Sequence, residues 1–198
     1  YKSTNGSVES ISLRTSIKCS SWYHIWAGYD VLEGRLLLGC QSKFDGALSI
    51  QERNVELNRV GDCSKLTFAA KKTNNQSADH FNGRIEDPVL YAKLPVRECP
   101  PTLPDEAGDG EIVAWWDFSI GIETQTLVDR GSRGLGGRLV NIPYRGMRGI
   151  NWTGRFMHWR DSPREYAAIH FHEDDLHDCG WDTDFSFKIP SSAKSGVY

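Results

Sequence analysis

No stretch of this 198-residue sequence approaches the roughly 18 apolar residues in a row that a membrane-spanning helix needs. No field of one sign is present either. Lys and Arg number 23 against 26 Asp and Glu, a formal net charge of −3 with an isoelectric point near 6.1. Neither nucleic acid nor an anionic membrane is therefore an expected partner. The opening YKSTNGSVES has neither the basic start nor the apolar core of a secretory leader. The five cysteines, at 19, 40, 63, 99 and 179, are scattered and form no C-x-x-C pair, so zinc-ribbon spacing is absent. Their odd count fits a reduced chain, and a cytoplasmic location is expected. Three N-x-S/T triplets, at Asn5, Asn75 and Asn151, carry little weight because such triplets are common by chance. The glycine-rich RGSRGLGG (130–137) lacks the lysine and the following helix of a phosphate cradle. The first residue is not Met, and the sequence closes on KSGVY, where a strand would begin. The chain is expected to be an internal fragment.

What is present is mostly β pattern. Short alternating, β-branched or aromatic stretches are separated by Gly, Asn, Asp and Ser. Strands are expected at 8–15, 22–30, 35–41, 47–53, 65–70 and 83–94. In WYHIWAGYD, Trp22, His24 and Trp26 share one face, and Tyr23, Ile25, Ala27 and Tyr29 the other. The composition then shifts at ECPPTLPDEAGDGE (98–111), where proline, glycine and acids predict a linker. Further strands are expected at 111–118, 137–141, 149–152, 154–159, 166–172 and 184–189. No stretch makes a convincing helix; the candidates near 164–170 and in QERNVELNRV are too short to stand alone. The expected class is an all-β, antiparallel β-sandwich or jelly roll. Three parts are expected: 1–97, a linker over 98–111, and a second β-rich segment over 112–198.

The chemistry-bearing stretch is YAAIHFHEDDLHDCGWDTDFSF (166–187), with three histidines and six acids in 22 residues. On a strand His170 and His172 face the same side, and Asp174 and Asp175 follow. HFHEDD resembles the H-x-H-x-D-H of metallo-β-lactamase-type hydrolases, but Asp175 stands at the last His and only His177 follows. A dinuclear zinc site is therefore disfavoured. A mononuclear site of His170, His172 and one of Glu173, Asp174 or Asp175 is stereochemically possible. A strand ending in an acidic turn, with His–carboxylate bonds ordering it, accounts for the same residues. So does a role lining a cleft, or lying behind the ligands of a metal held elsewhere.

Other residues invite similar alternatives. Trp115, Trp116, Trp152, Trp159 and Trp181 suit core or interface positions, or a sugar-stacking platform. His24 suits a strand position, satisfied between Trp22 and Trp26. Arg145 and Arg148 would clamp a carboxylate or pair with the acidic turn. A Cys179–His177 nucleophile is disfavoured, because catalytic Cys–His pairs come from distant sequence.

Two resemblances add to this reading. WYHIWAGYD, GRLLLGC and HFNGRIEDPVLY, with the closing residues Phe81, Gly83, Ile85 and Glu86, resemble a laminin-G-like, concanavalin-A-like jelly roll lacking its first strands. EIVAWWDFS, GRLVNIPYRGMRGINW, YAAIHFHEDDLHDCGWDTDFSFKIP and SGVY, in that order, resemble the large (beta) subunit of N,N-dimethylformamidase. That resemblance implies an amide hydrolase releasing formate and an amine. It also implies an iron held by two tyrosines and a glutamate in an α/β domain outside this chain. A small partner subunit and homo-oligomer contacts are implied too. It places Tyr198 as one candidate iron ligand, and His170, His172, Asp174 and Asp175 beside the site. The alternative is a carbohydrate- or protein-binding laminin-G-like module without enzymatic activity.

Overall fold

The computed structural model describes residues 9–55, 65–73, 76–94, 112–173 and 180–197. Twelve strands and one 3-10 turn make up its regular structure. The first three are β1 (Tyr23–Asp30), β2 (Arg35–Ser42) and β3 (Leu48–Asn54), an antiparallel sheet in that order. β2 is its centre and is buried on both faces at Leu36, Leu37 and Cys40. Trp26 of β1 lies opposite Gly39 of β2. A Cβ at Gly39 would stand 2.0 Å from the Trp26 ring, so glycine is what lets this indole lie over the sheet. Leu36 and Val55 form a small core that Ile11 and Tyr29 join.

β4 (Lys71–Thr73) and β5 (Gln76–Ala78) pair only with each other among the described residues. The remaining strands are β6 (Gly83–Glu86), β7 (Val89–Tyr91), β8 (Ile112–Asp117), β9 (Thr126–Asp129), β10 (Gly137–Arg138), β11 (Tyr144–Met147) and β12 (Ala168–Phe171). They form two antiparallel sheets, ordered β10-β9-β8-β7 and β11-β12-β6. These sheets face each other across one core of Ala114, Trp116, Phe118, Leu139 and Ile169, with Ile85, Leu127 and Phe171 packed against it. Burying side chains of this size stabilises by about 1.5–3 kcal/mol each. The antiparallel sandwich expected from the sequence is thus present, and no α-helix occurs among the described residues. The corner Glu86-Asp87-Pro88 carries the chain from one sheet to the other. β6 pairs with β12 and β7 with β8, so strands from both sides of residues 98–111 share both sheets.

Several expected strands are replaced by irregular chain. Residues 9–15 run without a ladder, tied instead by side chains: Arg53 pairs with Glu9 and donates to the Ser10 carbonyl. The expected strand at 65–70 is broken by Ala69 at φ 63°. The one at 137–141 ends after two residues, because Asn141 and Ile142 both take positive φ. GINW and GRFMHW form turns, with Gly154 at φ 77°. DFSFKI (184–189) keeps its alternation but has no strand to pair with among the described residues. Conversely, β4, β5 and β11 fall in polar or glycine-bearing sequence that the alternation rule passes over, and β9 is a four-residue strand with only Leu127 and Val128 apolar.

Candidate functional site

The histidine pair lies at one edge of the sandwich. His170 stands in β12, with Arg84 of β6 opposite it on one side and Tyr144 of β11 on the other. His172 follows two residues later on the same face. The two imidazoles lie 5.7 Å apart and 21° from parallel, and the exposed Tyr144 ring lies 4.9 Å from His172 and 6.4 Å from His170. The Nδ1 of His170 is shielded and meets no hydrogen-bond partner among the described residues. Glu173 begins the acidic turn. Its N–H donates to Asn82 Oδ1 at 2.8 Å, and its carboxylate lies 3.2 Å from His80 Nδ1. A His–carboxylate contact thus anchors the strand end through His80.

Among the described residues no group of three His, Cys, Asp or Glu could hold a metal. His170 and His172 therefore lack a described third ligand. Asp174, Asp175, His177, Cys179 and Tyr198 lie outside the described residues.

A second cluster, which the sequence reading missed, is buried at the β6–β7 corner. Asp87 adopts φ 41°, which turns its carboxylate inward, where it accepts the Phe118 N–H at 2.9 Å. Arg164, from the 3-10 turn Pro163–Tyr166, reaches Asp87 at 3.1 Å and Asp117 at 3.6 Å. Arg130 reaches Asp117 at 3.2 Å. Ser119 donates both its N–H and its hydroxyl to the other oxygen of Asp117. Both guanidiniums lie over the Trp115 ring, at 4.7 and 5.6 Å. Burial pushes the Asp87 carboxyl up to about 6, with Asp117 adding to the rise and the Phe118 N–H and the two arginines opposing it. Asp87 and Asp117 are held by hydrogen bonds and ion pairs in the interior, as structural groups are.

Glu86 completes the corner. Its carboxylate accepts the Ile150 N–H at 2.6 Å and crowds Gly149, where a Cβ would stand 2.7 Å from it. Burial pushes its carboxyl up to about 7, and neighbouring Asp87 adds to the rise. The sequence signal was available in HFNGRIEDPVLY: two adjacent acids in a β stretch just before a proline. Nearby, buried Glu165 accepts the N–H and hydroxyl of Thr153, and the N–H bond holds its carboxyl below the ordinary range.

The other candidates resolve structurally. Arg145 donates to the carbonyls of Phe118, Ile120, Gly121, Thr124 and Thr126, clasping one loop. Arg148 lies 4.4 Å over Trp152, a cation–π contact. Trp115 and Trp116 are core residues, whereas Trp152 and Trp181 are exposed. His24 is half-buried, edge-on to Trp26 at 5.6 Å, and burial holds its basicity down.

With this geometry in place, residues 144–198 match the family described as N,N-dimethylformamidase beta subunit-like, C-terminal. That span takes in β11, the 3-10 turn and β12. The chain is 38% identical over 130 residues to the N,N-dimethylformamidase beta subunit of Alcaligenes sp. It is 39% identical over 126 residues to that of Paracoccus aminophilus. Each match covers 60% of this chain and 16% of the relative's length.

Proposed function

This chain belongs to the N,N-dimethylformamidase beta subunit family, and from that premise we propose that it is the accessory β region of an amidohydrolase. The whole enzyme adds water across the C–N bond of a small N-substituted formamide, giving formate and the free amine. The observation that carries this reading is the match over 144–198, because it runs through Tyr144 of β11, His170 of β12 and His172 just beyond it. In this role the sandwich supports the catalytic domain, and its histidine edge lines the cleft. The laminin-G-like jelly roll belongs to the same reading.

The described residues offer no group of three His, Cys, Asp or Glu for a metal. Tyr198 is this chain's one candidate ligand, the other ligands lying in the catalytic domain. A small subunit, further copies of the large subunit and a cytoplasmic setting complete the proposal.

The test is an assay of formate release from dimethylformamide by the full-length protein with its small subunit, alongside iron analysis. Hydrolysis that Tyr198→Phe abolishes together with bound iron is the expected result. A full-length protein that hydrolyses no formamide, yet shows tryptophan quenching by an oligosaccharide, would mark a binding module instead.

A further inference from the structure

Residues 148–160, in the connection from β11 to β12, hold three arginines and no Asp or Glu, within a chain of net charge −3. Every residue over 151–158 is exposed. Met157 is 86% exposed, and Trp152 and Phe156 stay open in the same run. None of the three arginines makes a salt bridge with a described carboxylate. Arg148 lies over the Trp152 ring at 4.4 Å, and Arg160 over the Trp159 ring at 4.8 Å. The Glu165 carboxyl is held low first by the Thr153 N–H, and Arg155 acts on it through space.

The backbone of this loop is pinned from beneath. Thr153 gives its N–H and its hydroxyl to the buried Glu165, and Tyr166 donates its hydroxyl to the Phe156 carbonyl at 2.6 Å. The Trp152 N–H closes one turn on the Gly149 carbonyl at 3.3 Å, and the Asp161 N–H closes another on the His158 carbonyl at 3.1 Å. Apolar side chains held in water on such a fixed frame add nothing to the core. A fixed loop also gives up little conformational freedom when it is covered. Arginine, tryptophan and methionine are the side chains enriched at protein interfaces.

We propose that this arginine–aromatic loop is a docking surface for an acidic face of a second, different protein subunit, with Met157 as its apolar anchor and Arg148, Arg155 and Arg160 as its charged rim.

The unpaired arginines set the chemistry of the partner, because each guanidinium offers forked donors to a carboxylate. Nucleic acid is a poorer occupant. Its binding grows with the number of phosphates neutralised, and three cations on a chain of net charge −3 neutralise few. Position separates this surface from the catalytic domain. In the antiparallel β11–β12 pair Tyr144 stands opposite His170, and Met147 opposite Ala168. The loop leaves the Met147 end of that pair, and the histidine edge lies at the other. A partner seated on the loop therefore leaves the histidine edge free to line the cleft. The choice of partner rests on the amidohydrolase reading, which calls for a small subunit.

Calorimetric titration of the small subunit into the full-length protein tests the proposal. Kd is expected to rise about tenfold as salt goes from about 50 to about 300 mM, because rim charges are screened. Replacing the three arginines together (Arg148→Glu, Arg155→Glu, Arg160→Glu) should weaken binding about a hundredfold, and Met157→Asp alone about tenfold. Affinities within twofold of the parent in both variants would overturn the proposal. So would retained affinity for the small subunit in a triple variant that loses binding to a fluorescent oligonucleotide or to phosphatidylserine vesicles. If the variants do not fold, hydroxyl-radical oxidation of Met157 in the parent protein decides. Oxidation that drops severalfold when the small subunit is added supports the docking surface. Oxidation unchanged by the small subunit overturns it, and a Met157 already protected in the full-length protein alone assigns the loop to another part of its own polypeptide. Formate release in the same samples reports separately on the activity. A complex that depends on the loop but releases no formate supports the surface and fails the amidohydrolase. An active complex indifferent to the substitutions fails the surface alone.

Discussion

Arg145 ends in five carbonyl oxygens between Phe118 and Thr126. A planar guanidinium with five N–H donors can serve such a ring, whereas an ammonium offers three donors from one point. Arg145→Lys should therefore lose about 2–3 kcal/mol of stability, on the scale of one or two hydrogen bonds to a charged group. Urea unfolding of the two proteins measures this directly, and an unchanged midpoint would show the loop holds itself. In the sequence Arg145 stood out only as one of two arginines in YRGMRG. That it serves the chain and not a ligand depends on carbonyls from residues about 20–27 positions earlier, which no local pattern encodes. Glu86 and Asp87 were visible as adjacent acids in HFNGRIEDPVLY, but their raised carboxyls were not, since burial, not residue type, makes a carboxyl unusual.

Among the strands, β1, β2, β3 and β8 were legible because runs of aliphatic, β-branched and aromatic residues stand between turn residues, although burial along them does not alternate. The pattern overreached at 65–70 and 154–159, where residues with positive φ turn the chain out of a ladder. It fell short at β9, a four-residue strand between β8 and β10, and at β11, whose pairing with β12 is broken by a register shift. The β1–β2 register rests on one steric fact, the indole of Trp26 over Gly39. Gly39→Ala should destabilise this sheet by about 1–3 kcal/mol, since the added methyl forces the ring or the strand to move. A guanidinium melt followed by tryptophan fluorescence checks it, and a variant as stable as its parent would mean that the indole has room to swing aside.

At the scale of the molecule, composition separated two β segments at 98–111, and the pairing runs across that stretch: β6 with β12, β7 with β8. Polypeptides 1–97 and 112–198, expressed together, should co-elute as a non-covalent complex on size exclusion, whereas either alone should lack stable tertiary structure. Independent elution of two folded pieces would contradict the shared sheets. The all-β class was readable from short strands and turn residues alone. Which strands meet was not, because register between distant strands depends on a core that exists only once both are present. The histidine edge was found by sequence through HFHEDD, yet its neighbours Tyr144 and His80 come from other elements.

The pairing of β6 with β12 also sets a clock. Ile85 must wait for Ile169, about 80 residues later, before its ladder and its half of the core can form. During synthesis at about 5–20 residues per second, that is on the order of 4–16 s in which β6 emerges without its partner. Its open edge and uncovered apolar side chains are then available to neighbouring chains. Expression conditions that slow translation should lengthen this interval, so yield of soluble protein should depend on chaperone supply more than on the stability of the finished fold.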